Sequence, residues 1–445
     1  MSKFPLLFQS LVFTIASLIS SALVFLMQPL ALKILLPKFG ASQEALNQAT
    51  AVFSIFFLAG FFYPYLLARW LSLRIQIGVQ LILMLVSFAS FGLIWVRGLE
   101  WEVLDTPIVW LLSAGFPVLV CTGNPLLLMH WFSKSAHPLA RDPYFLFAAS
   151  SLGSLLGIIG YPIWIEPFFI FQRQMQWWLI GGGVTGLFTC VSAALVWYAE
   201  KPTDKVSAQE DRRPTLGDRL RWLIYAAVPL GLVQAGRTDF STEFSKVPLL
   251  GLSTFVLYFF TLVVAFARPN IPGPTSYGIA VTFIGSGSLA FFAVLVLLLS
   301  WGDSLHFSIY LWAAACVGLL LLPQWFMLAI QPVAAVVAFI VFLARPEFPF
   351  WSSYPILMAA IYSTARMLHA ELARERPGTK YLLGFFPCLA LGALLLGTLT
   401  SWLMPLVFPQ TVMEYPLALV LACAVHPWLG VLPPARNNKI MMTPS

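Results

Sequence analysis

The chain has 445 residues, of which 60% are hydrophobic and only 10% are charged. Its mean hydropathy is +0.86. A soluble domain needs a polar surface, for which about a quarter of all residues are charged. The composition therefore excludes a soluble globular protein and predicts an outer surface that faces lipid. The formal net charge of +7 does not indicate nucleic-acid binding, because Lys and Arg lie in short loops between apolar runs.

Apolar runs follow one another along the chain, and each is long enough to cross a bilayer as a helix, which takes about 20 residues. We therefore predict an all-α, polytopic integral membrane protein with about 14 transmembrane helices in two bundles of six and eight. The predicted spans are 8–28, 47–68, 75–96, 107–130, 144–165, 177–198, 219–236, 247–267, 278–300, 306–325, 327–345, 349–370, 381–403 and 411–432.

One long polar stretch, residues 200–221, separates the sixth predicted span from the seventh. Its mixed charges and lack of apolar periodicity predict a flexible cytoplasmic linker. The linker divides an N-terminal six-helix bundle, 1–199, from a C-terminal bundle of about eight helices, 222–432, which a cytoplasmic tail, 433–445, follows. Many secondary transporters have this outline, although a fold by itself does not specify a function.

The distribution of positive charge predicts the orientation. If the N-terminus is cytoplasmic and the spans alternate strictly, 18 of the 25 Lys and Arg residues fall on the cytoplasmic side and 7 on the other. Cytoplasmic loops collect Lys and Arg, so we expect both termini in the cytoplasm.

Four segments carry local patterns of one group of bacterial membrane proteins. The most specific begins at Asp142-Pro143-Tyr144 and continues through Gly153 and Gly157 to Glu166-Pro167. The others are Val247-Pro248-Leu249-Leu250, His369-Ala370-Glu371-Leu372-Ala373 and Glu414-Tyr415-Pro416-Leu417-Ala418-Leu419. Together they extend over nearly the whole chain and resemble the transporter-like membrane part of spermidine-synthase-like bacterial proteins.

In fused members of that family, an aminopropyltransferase-type domain follows the membrane part. Here the chain ends at Ser445, and no GxGxxG motif follows a strand and opens a helix. The resemblance therefore implies a transporter-like protein of the bacterial inner membrane without synthase activity, and we expect no enzyme. It also implies a polyamine-related small cation as the solute, or a separate synthase-type protein as a partner.

Ionisable groups are costly inside a bilayer and mark candidate functional sites. The first cluster runs from Arg237 through Asp239 and Glu243 to Lys246. One interpretation is a polar, unwound segment that enters the membrane and binds a substrate or an ion. The other is an exposed turn with a surface ion pair, which contributes about 0 to 1 kcal/mol.

The second cluster is Arg366, His369 and Glu371, at the end of a predicted span. Arg366 and His369 are three residues apart and share a helical face, whereas Glu371 lies on the opposite face. A histidine beside a carboxylate can relay protons near neutral pH. Alternatively, the cluster is a helix end whose charges reach the cytoplasm, with residues 374–376 as a solvated turn.

The third candidate is Asn124, which precedes Pro125 in the middle of a predicted span. Proline frees a backbone carbonyl there, so the pair is a candidate for the lining of a cavity. In the 142–167 block, Asp142 is predicted to cap a helix whose first residue is Pro143. Three glycines in that block predict close approach of another helix: Gly153, Gly157 and Gly160.

The sequence predicts neither a metal site nor a cofactor, because no HExxH, CxxC or Gly-rich nucleotide motif is present. Two main functions remain open, with a membrane-embedded enzyme as a weaker third. The first is a transporter in which the polar residues named above converge in a water-accessible cavity. The second is a non-transporting membrane module whose charges lie at the interfaces, where they anchor or serve a partner enzyme. The expected partners are the lipid bilayer, a small solute and, for the module, a separate synthase-type protein.

Overall fold

The computed structural model describes residues 3–39, 43–97, 107–198, 213–243, 249–267, 324–344, 350–398 and 414–429. Within these ranges all regular structure is helical, so the prediction of an all-α polytopic protein is confirmed. The predicted span 278–300 and nearly all of 306–325 lie outside the described residues. Among the described residues, six helices are long and apolar enough to cross a membrane: Leu6–Lys33, Ala51–Trp70, Leu73–Gly92, Phe145–Phe168, Phe171–Trp197 and Phe326–Leu343.

The chain forms two compact units. Unit 1 comprises Met1–Arg212, Pro269–Pro272 and Pro377–Pro387, and unit 2 comprises the remaining residues. The helices of the first unit are α1 (Lys3–Phe39), α2 (Gln43–Trp70), α3 (Leu73–Arg97), α4 (Pro107–Phe132), α5 (Phe145–Gly160) and α6 (Phe171–Trp197). The later helices are α7 (Leu216–Glu243), α8 (Leu249–Phe266), α9 (Gln324–Leu343), α10 (Phe350–Arg374), α11 (Leu382–Thr398) and α12 (Glu414–Ala424).

Helix α1 packs along α4, α5 and α6 in unit 1. It lies very close to α5: a Cβ atom built on Gly153 would lie 2.0 Å from the carbonyl oxygen of Leu18, and one on Gly157 would lie 2.7 Å from that of Ala22. The predicted close approach at these two glycines is confirmed. Gly160 does not contribute, because a Cβ at that position would meet nothing within 4 Å.

The end of α5 departs from α-helical geometry. Residues Tyr161–Ile165 form a π-helical turn, and Glu166–Phe168 form one further helical turn before α6 begins. Glu166 forms an ion pair with Lys33 of α1, whose ammonium lies 5.7 Å from the centre of the Tyr161 ring. The pair is partly exposed, so it contributes about 1 kcal/mol or less.

In unit 2, α10 packs against α7, α8 and α9, while α12 packs against α7 and α9. The N-terminus of α7 is closed by a capping box, in which the Thr215 backbone N–H donates to Asp218 over 2.8 Å and the Asp218 N–H donates to the Thr215 hydroxyl over 3.2 Å. Helix α7 begins at Leu216, so the last part of the predicted linker is helical.

Candidate functional site

Asn124 lies at the centre of a buried layer of polar side chains in unit 1. Its Nδ2 donates to Ser20 of α1 over 2.8 Å and to Thr189 of α6 over 3.0 Å. Its Oδ1 accepts from Gln80 of α3 over 3.1 Å, and Gln80 accepts from the Tyr63 hydroxyl of α2 over 2.9 Å. This Asn124 layer therefore joins five helices and satisfies both side-chain amides.

Four buried hydroxyls on the helices that form the Asn124 layer have no hydrogen-bond partner among the described residues. They are Ser17, Ser87, Thr122 and Ser192. Ser17 lies one helical turn from Ser20, and Ser192 lies one turn from Thr189. The Leu23 carbonyl of α1 accepts a hydrogen bond from the Trp178 indole of α6. Leu23 follows Ser20 in the chain, whereas Trp178 precedes Thr189, so the two helices run antiparallel. Ser17 and Ser192 therefore lie on the same side of the layer.

His369 of α10 is completely buried in unit 2. Its Nδ1 lies 2.9 Å from the Thr261 hydroxyl, which in turn donates to the carbonyl of Tyr258 over 2.8 Å. Because the Thr261 hydroxyl proton is used in the bond to Tyr258, the Thr261 oxygen must accept a hydrogen bond from a protonated Nδ1 of His369. The Nε2 atom is then a lone-pair acceptor, and it has no partner among the described residues. Tyr258 also packs its ring edge-on against the imidazole, with centroids 4.9 Å apart.

The charged end of α10 is solvated only in part, because the Arg374 side chain is 45% exposed while its acidic neighbours are more buried. Glu371 is only 3% exposed and pairs with Arg374 on the same helix. Glu375 accepts from Arg221 of α7 over 2.8 Å, and Arg221 also pairs with Asp218. Burial raises the pKa of the Glu375 carboxyl, although the Arg221 guanidinium opposes the shift.

The segment from Arg237 to Glu243 forms neither an unwound stretch nor a turn. It continues α7, which ends at Glu243. The Arg237 guanidinium lies 5.9 Å from the centre of the Phe255 ring of α8. Asp239 is part of the same helix. Both interpretations of this segment assumed that the helix ends where the apolar run ends. Backbone hydrogen bonding instead extends the helix to Glu243.

The start of the 142–167 block also differs from its prediction. Asp142 ends the short 3₁₀ helix Pro138–Arg141, and Tyr144 is the residue that precedes α5. Asp142 therefore does not cap α5, because the chain makes another turn first. Tyr144 is buried and donates its hydroxyl to the carbonyl of Pro377 over 2.8 Å.

His137 caps the 3₁₀ helix in that loop. Its Nδ1 accepts from the Leu139 backbone N–H over 3.0 Å, and its Nε2 lies 3.2 Å from the Leu6 carbonyl. The ring is therefore neutral, with its proton on Nε2 directed at that carbonyl. Burial lowers the pKa of His137.

The sequence-predicted polar residues are divided between the two units. Asn124 belongs to unit 1, whereas Arg237, Arg366, His369 and Glu371 belong to unit 2. Sequence reasoning missed the partners of these residues. They are Ser20, Gln80 and Thr189 for Asn124, with Tyr63 bonded in turn to Gln80, and Tyr258 and Thr261 for His369. It also missed Glu414, a buried carboxylate at the start of α12 whose Oε2 has no partner among the described residues. The signal in the sequence that could have revealed these residues is their position as polar residues within apolar runs.

The described residues contain no group of three or more metal-ligating side chains. No protein-family model and no curated protein matches the chain. Solved structures do match it. The proton:xylose symporter XylE of the major facilitator superfamily (MFS), bound to 6-bromo-6-deoxy-D-glucose, is similar with a TM-score of 0.50, 12% identity and 97% coverage of both chains. This similarity shows the fold alone, a polytopic, all-helical membrane fold like that of XylE.

Two other structures give lower scores. A bacterial homologue of the iron transporter ferroportin, in an outward-facing state, has a TM-score of 0.46 and 14% identity, covering 94% of this chain and 98% of its own. An auto-inhibited peptide transporter of the POT family has a TM-score of 0.45 and 14% identity, covering 98% of this chain and 99% of its own.

Proposed function

We propose that the protein is a transporter that moves a small polar solute across the bacterial inner membrane, with both termini in the cytoplasm. The observation that carries this proposal is the Asn124 layer with its unpartnered hydroxyls. The MFS-like fold supports a transporter, but at 12% identity it gives no solute.

The energetics of buried hydroxyls support a polar solute path in unit 1. A buried polar group without a partner costs about 1 to 3 kcal/mol. Water or a polar solute removes that cost by supplying the partner. Asn124 itself has both donors and one acceptor occupied, so its role is to hold α1, α4 and α6 in register. Ser17 and Ser192 are the groups that contact the solute.

His369 is the corresponding polar group in unit 2. Its Nε2 is a buried acceptor held at a fixed orientation by Thr261 and Tyr258, so it can receive a hydrogen bond from a solute or a proton. Arg366 lies one turn before it on α10. Arg237, Asp239, Glu243 and Glu371 complete the set of residues that we propose for solute or ion binding.

The charges favour a neutral polar solute over the polyamine that the resemblance implies. The Asn124 layer and its neighbouring hydroxyls carry no charge. Glu371 and Glu375 are neutralised by Arg374 and Arg221. A polyamine would need a carboxylate without a basic partner. Among the described residues Glu414 is a candidate, because its Oε2 atom has no hydrogen-bond partner there.

The test is uptake into proteoliposomes that contain the purified protein. The probes are xylose and glycerol as neutral solutes, alanine as a zwitterion, and putrescine and spermidine as polyamines. We expect uptake of a neutral solute, and a reduction of about fivefold or more in the double variant Ser17→Ala/Ser192→Ala, which corresponds to a lost interaction of about 1 kcal/mol. Ser154→Ala is the matched control, because Ser154 donates to the Ser150 carbonyl within α5.

Polyamine uptake that is abolished by Glu414→Gln would replace the neutral-solute proposal with the polyamine one. Uptake of none of the five probes, by protein that melts cooperatively, would count against transport. It would favour the alternative, a membrane module that serves a separate synthase-type enzyme.

A further inference from the structure

A cationic and aromatic patch lies where α2 meets α3 and α6 ends, all in unit 1. It consists of Arg69, Trp70, Arg74, Trp197 and Tyr198, which are all exposed. Trp70 is 71% exposed and Tyr198 is 84% exposed. Helices α3 and α6 pack against each other, so the patch is one continuous surface. The distribution of Lys and Arg predicts the cytoplasm at this end.

The two guanidinium groups of the patch have no carboxylate partner among the described residues. Arg69 donates to the Tyr65 hydroxyl over 3.0 Å. The guanidinium carbon of Arg74 lies 4.9 Å from the centre of the Trp197 ring. Both contacts orient a guanidinium without neutralising it, and each leaves most of its N–H donors available.

The turn that carries the two arginines is held in place. Only Leu71 and Ser72 separate α2 from α3, and Gln76 donates its side-chain amide to the Leu71 carbonyl over 2.9 Å. Gln76 is itself buried. The two positive charges are therefore presented by a fixed backbone rather than by a long loop.

A shallow, open apolar groove begins at the same patch. Its volume is about 400 Å³, and Val191, Ala194, Leu195 and Tyr198 line it. These residues follow one face of α6 for two turns, a length of about 10 Å at 1.5 Å per residue. Since Tyr198 belongs to both features, the groove leads from the charged patch along this face of the helix.

We propose that the patch and the groove together form a binding site for one anionic phospholipid. Arg69 and Arg74 bind the phosphate, because guanidinium groups form charge-assisted hydrogen bonds to phosphate oxygens. Trp197 and Tyr198 lie at the level of the headgroup, and one acyl chain occupies the groove. Basic pockets between helices at the cytoplasmic side are suited to anionic headgroups.

A general aromatic belt explains the exposed rings but not this combination. A belt of Trp and Tyr lies at the interface of any bilayer and does not distinguish headgroup charge. A site built from two guanidiniums without a carboxylate partner among the described residues does distinguish it, and the groove offers a place for an acyl chain beside the phosphate. The lipid selectivity therefore separates the two explanations.

The experiment measures lipid retention by the purified full-length protein with native mass spectrometry, using phosphatidylglycerol, phosphatidylcholine and soluble glycerol phosphate. We expect phosphatidylglycerol to remain bound, with phosphatidylcholine and glycerol phosphate lost. The double variant Arg69→Gln/Arg74→Gln should weaken phosphatidylglycerol binding by about tenfold or more. The groove-filling variant Leu195→Trp should weaken it while leaving both charges in place.

Arg173→Gln is the matched control, because Arg173 is an exposed arginine at the opposite end of α6 that bonds to Gln176. It should retain phosphatidylglycerol like the unchanged protein. Equal retention of phosphatidylcholine, binding of glycerol phosphate as tight as that of the lipid, or an unchanged affinity in Arg69→Gln/Arg74→Gln would each overturn the proposal. Thermal melting without lipid shows that the variants are folded.

Discussion

Asn124 and Gln80 are 44 residues apart in the chain, yet their side-chain amides form a fully buried hydrogen bond of 3.1 Å between α4 and α3. Through Ser20, Thr189 and Tyr63, the same layer reaches three further helices of unit 1. Interhelical hydrogen bonds of this kind fix the register of helices in a medium that gives no hydrophobic driving force for their association.

A double-mutant cycle tests whether the Asn124–Gln80 bond is energetically coupled. We expect Asn124→Leu and Gln80→Leu each to lower the free energy of unfolding, because each leaves buried donors or acceptors unpaired. The loss of stability in the double variant should be smaller than the sum of the two single losses by about 0.6 to 1.7 kcal/mol, the average and the largest coupling energies for polar pairs in membrane helices. Denaturant unfolding in mixed micelles measures it. Strictly additive effects would show that the bond contributes nothing beyond its surroundings.

Substitution of glycines tests the close packing of α1 on α5. Gly153→Ala should destabilise the protein by about 1 to 3 kcal/mol, since its Cβ would overlap the Leu18 carbonyl oxygen and force the helices apart. Gly183→Ala in α6 is the control, because a Cβ there meets nothing within 4 Å. It should leave the melting temperature unchanged or raise it slightly, because alanine favours helix. Equal melting temperatures for the two variants would contradict the packing.

The pH dependence of stability tests the capping role of His137. Its pKa in the folded protein lies below the ordinary value of 6.5, because the ring is buried. The unfolded chain therefore binds the proton more readily, and acidification below about pH 6.5 favours unfolding. We expect His137→Gln to lose less stability than the unchanged protein between pH 7.5 and pH 5. Parallel pH profiles for the two proteins would exclude this role.

Removal of Arg221 tests the buried ion pair between α7 and α10. The side chains of Arg221 and Glu375 are only 6% and 9% exposed. Arg221→Met should therefore cost about 3 to 5 kcal/mol, because it leaves the Glu375 carboxylate buried and unpaired. Adding Glu375→Gln should recover part of the loss. Arg219→Gln, an exposed control on the same helix, should change stability by about 0.5 kcal/mol or less. A loss in this control as large as in Arg221→Met would contradict the assignment.

The fold class and the position of most helices could be predicted from the sequence. Apolar runs predicted each of the twelve helices among the described residues, since the length needed to span a bilayer is a local property. Gly153 and Gly157 were also predictable, because small residues at helical spacing are typical of close helix contacts. The polar residues Asn124 and His369 were conspicuous for the same local reason.

The partners of those residues depend on the tertiary structure. The sequence gives no register between α4 and α3, so it could not place Gln80 against Asn124, or Thr261 against His369. It likewise could not show that Glu375 turns toward Arg221 instead of water. Helical hydrogen bonding carried α7 through Asp239 to Glu243, beyond the apolar run that predicted its end. Composition and the lengths of the apolar runs thus determine a helical membrane protein, whereas long-range packing decides which polar groups are paired and which remain available, because pairing depends on contacts between distant segments.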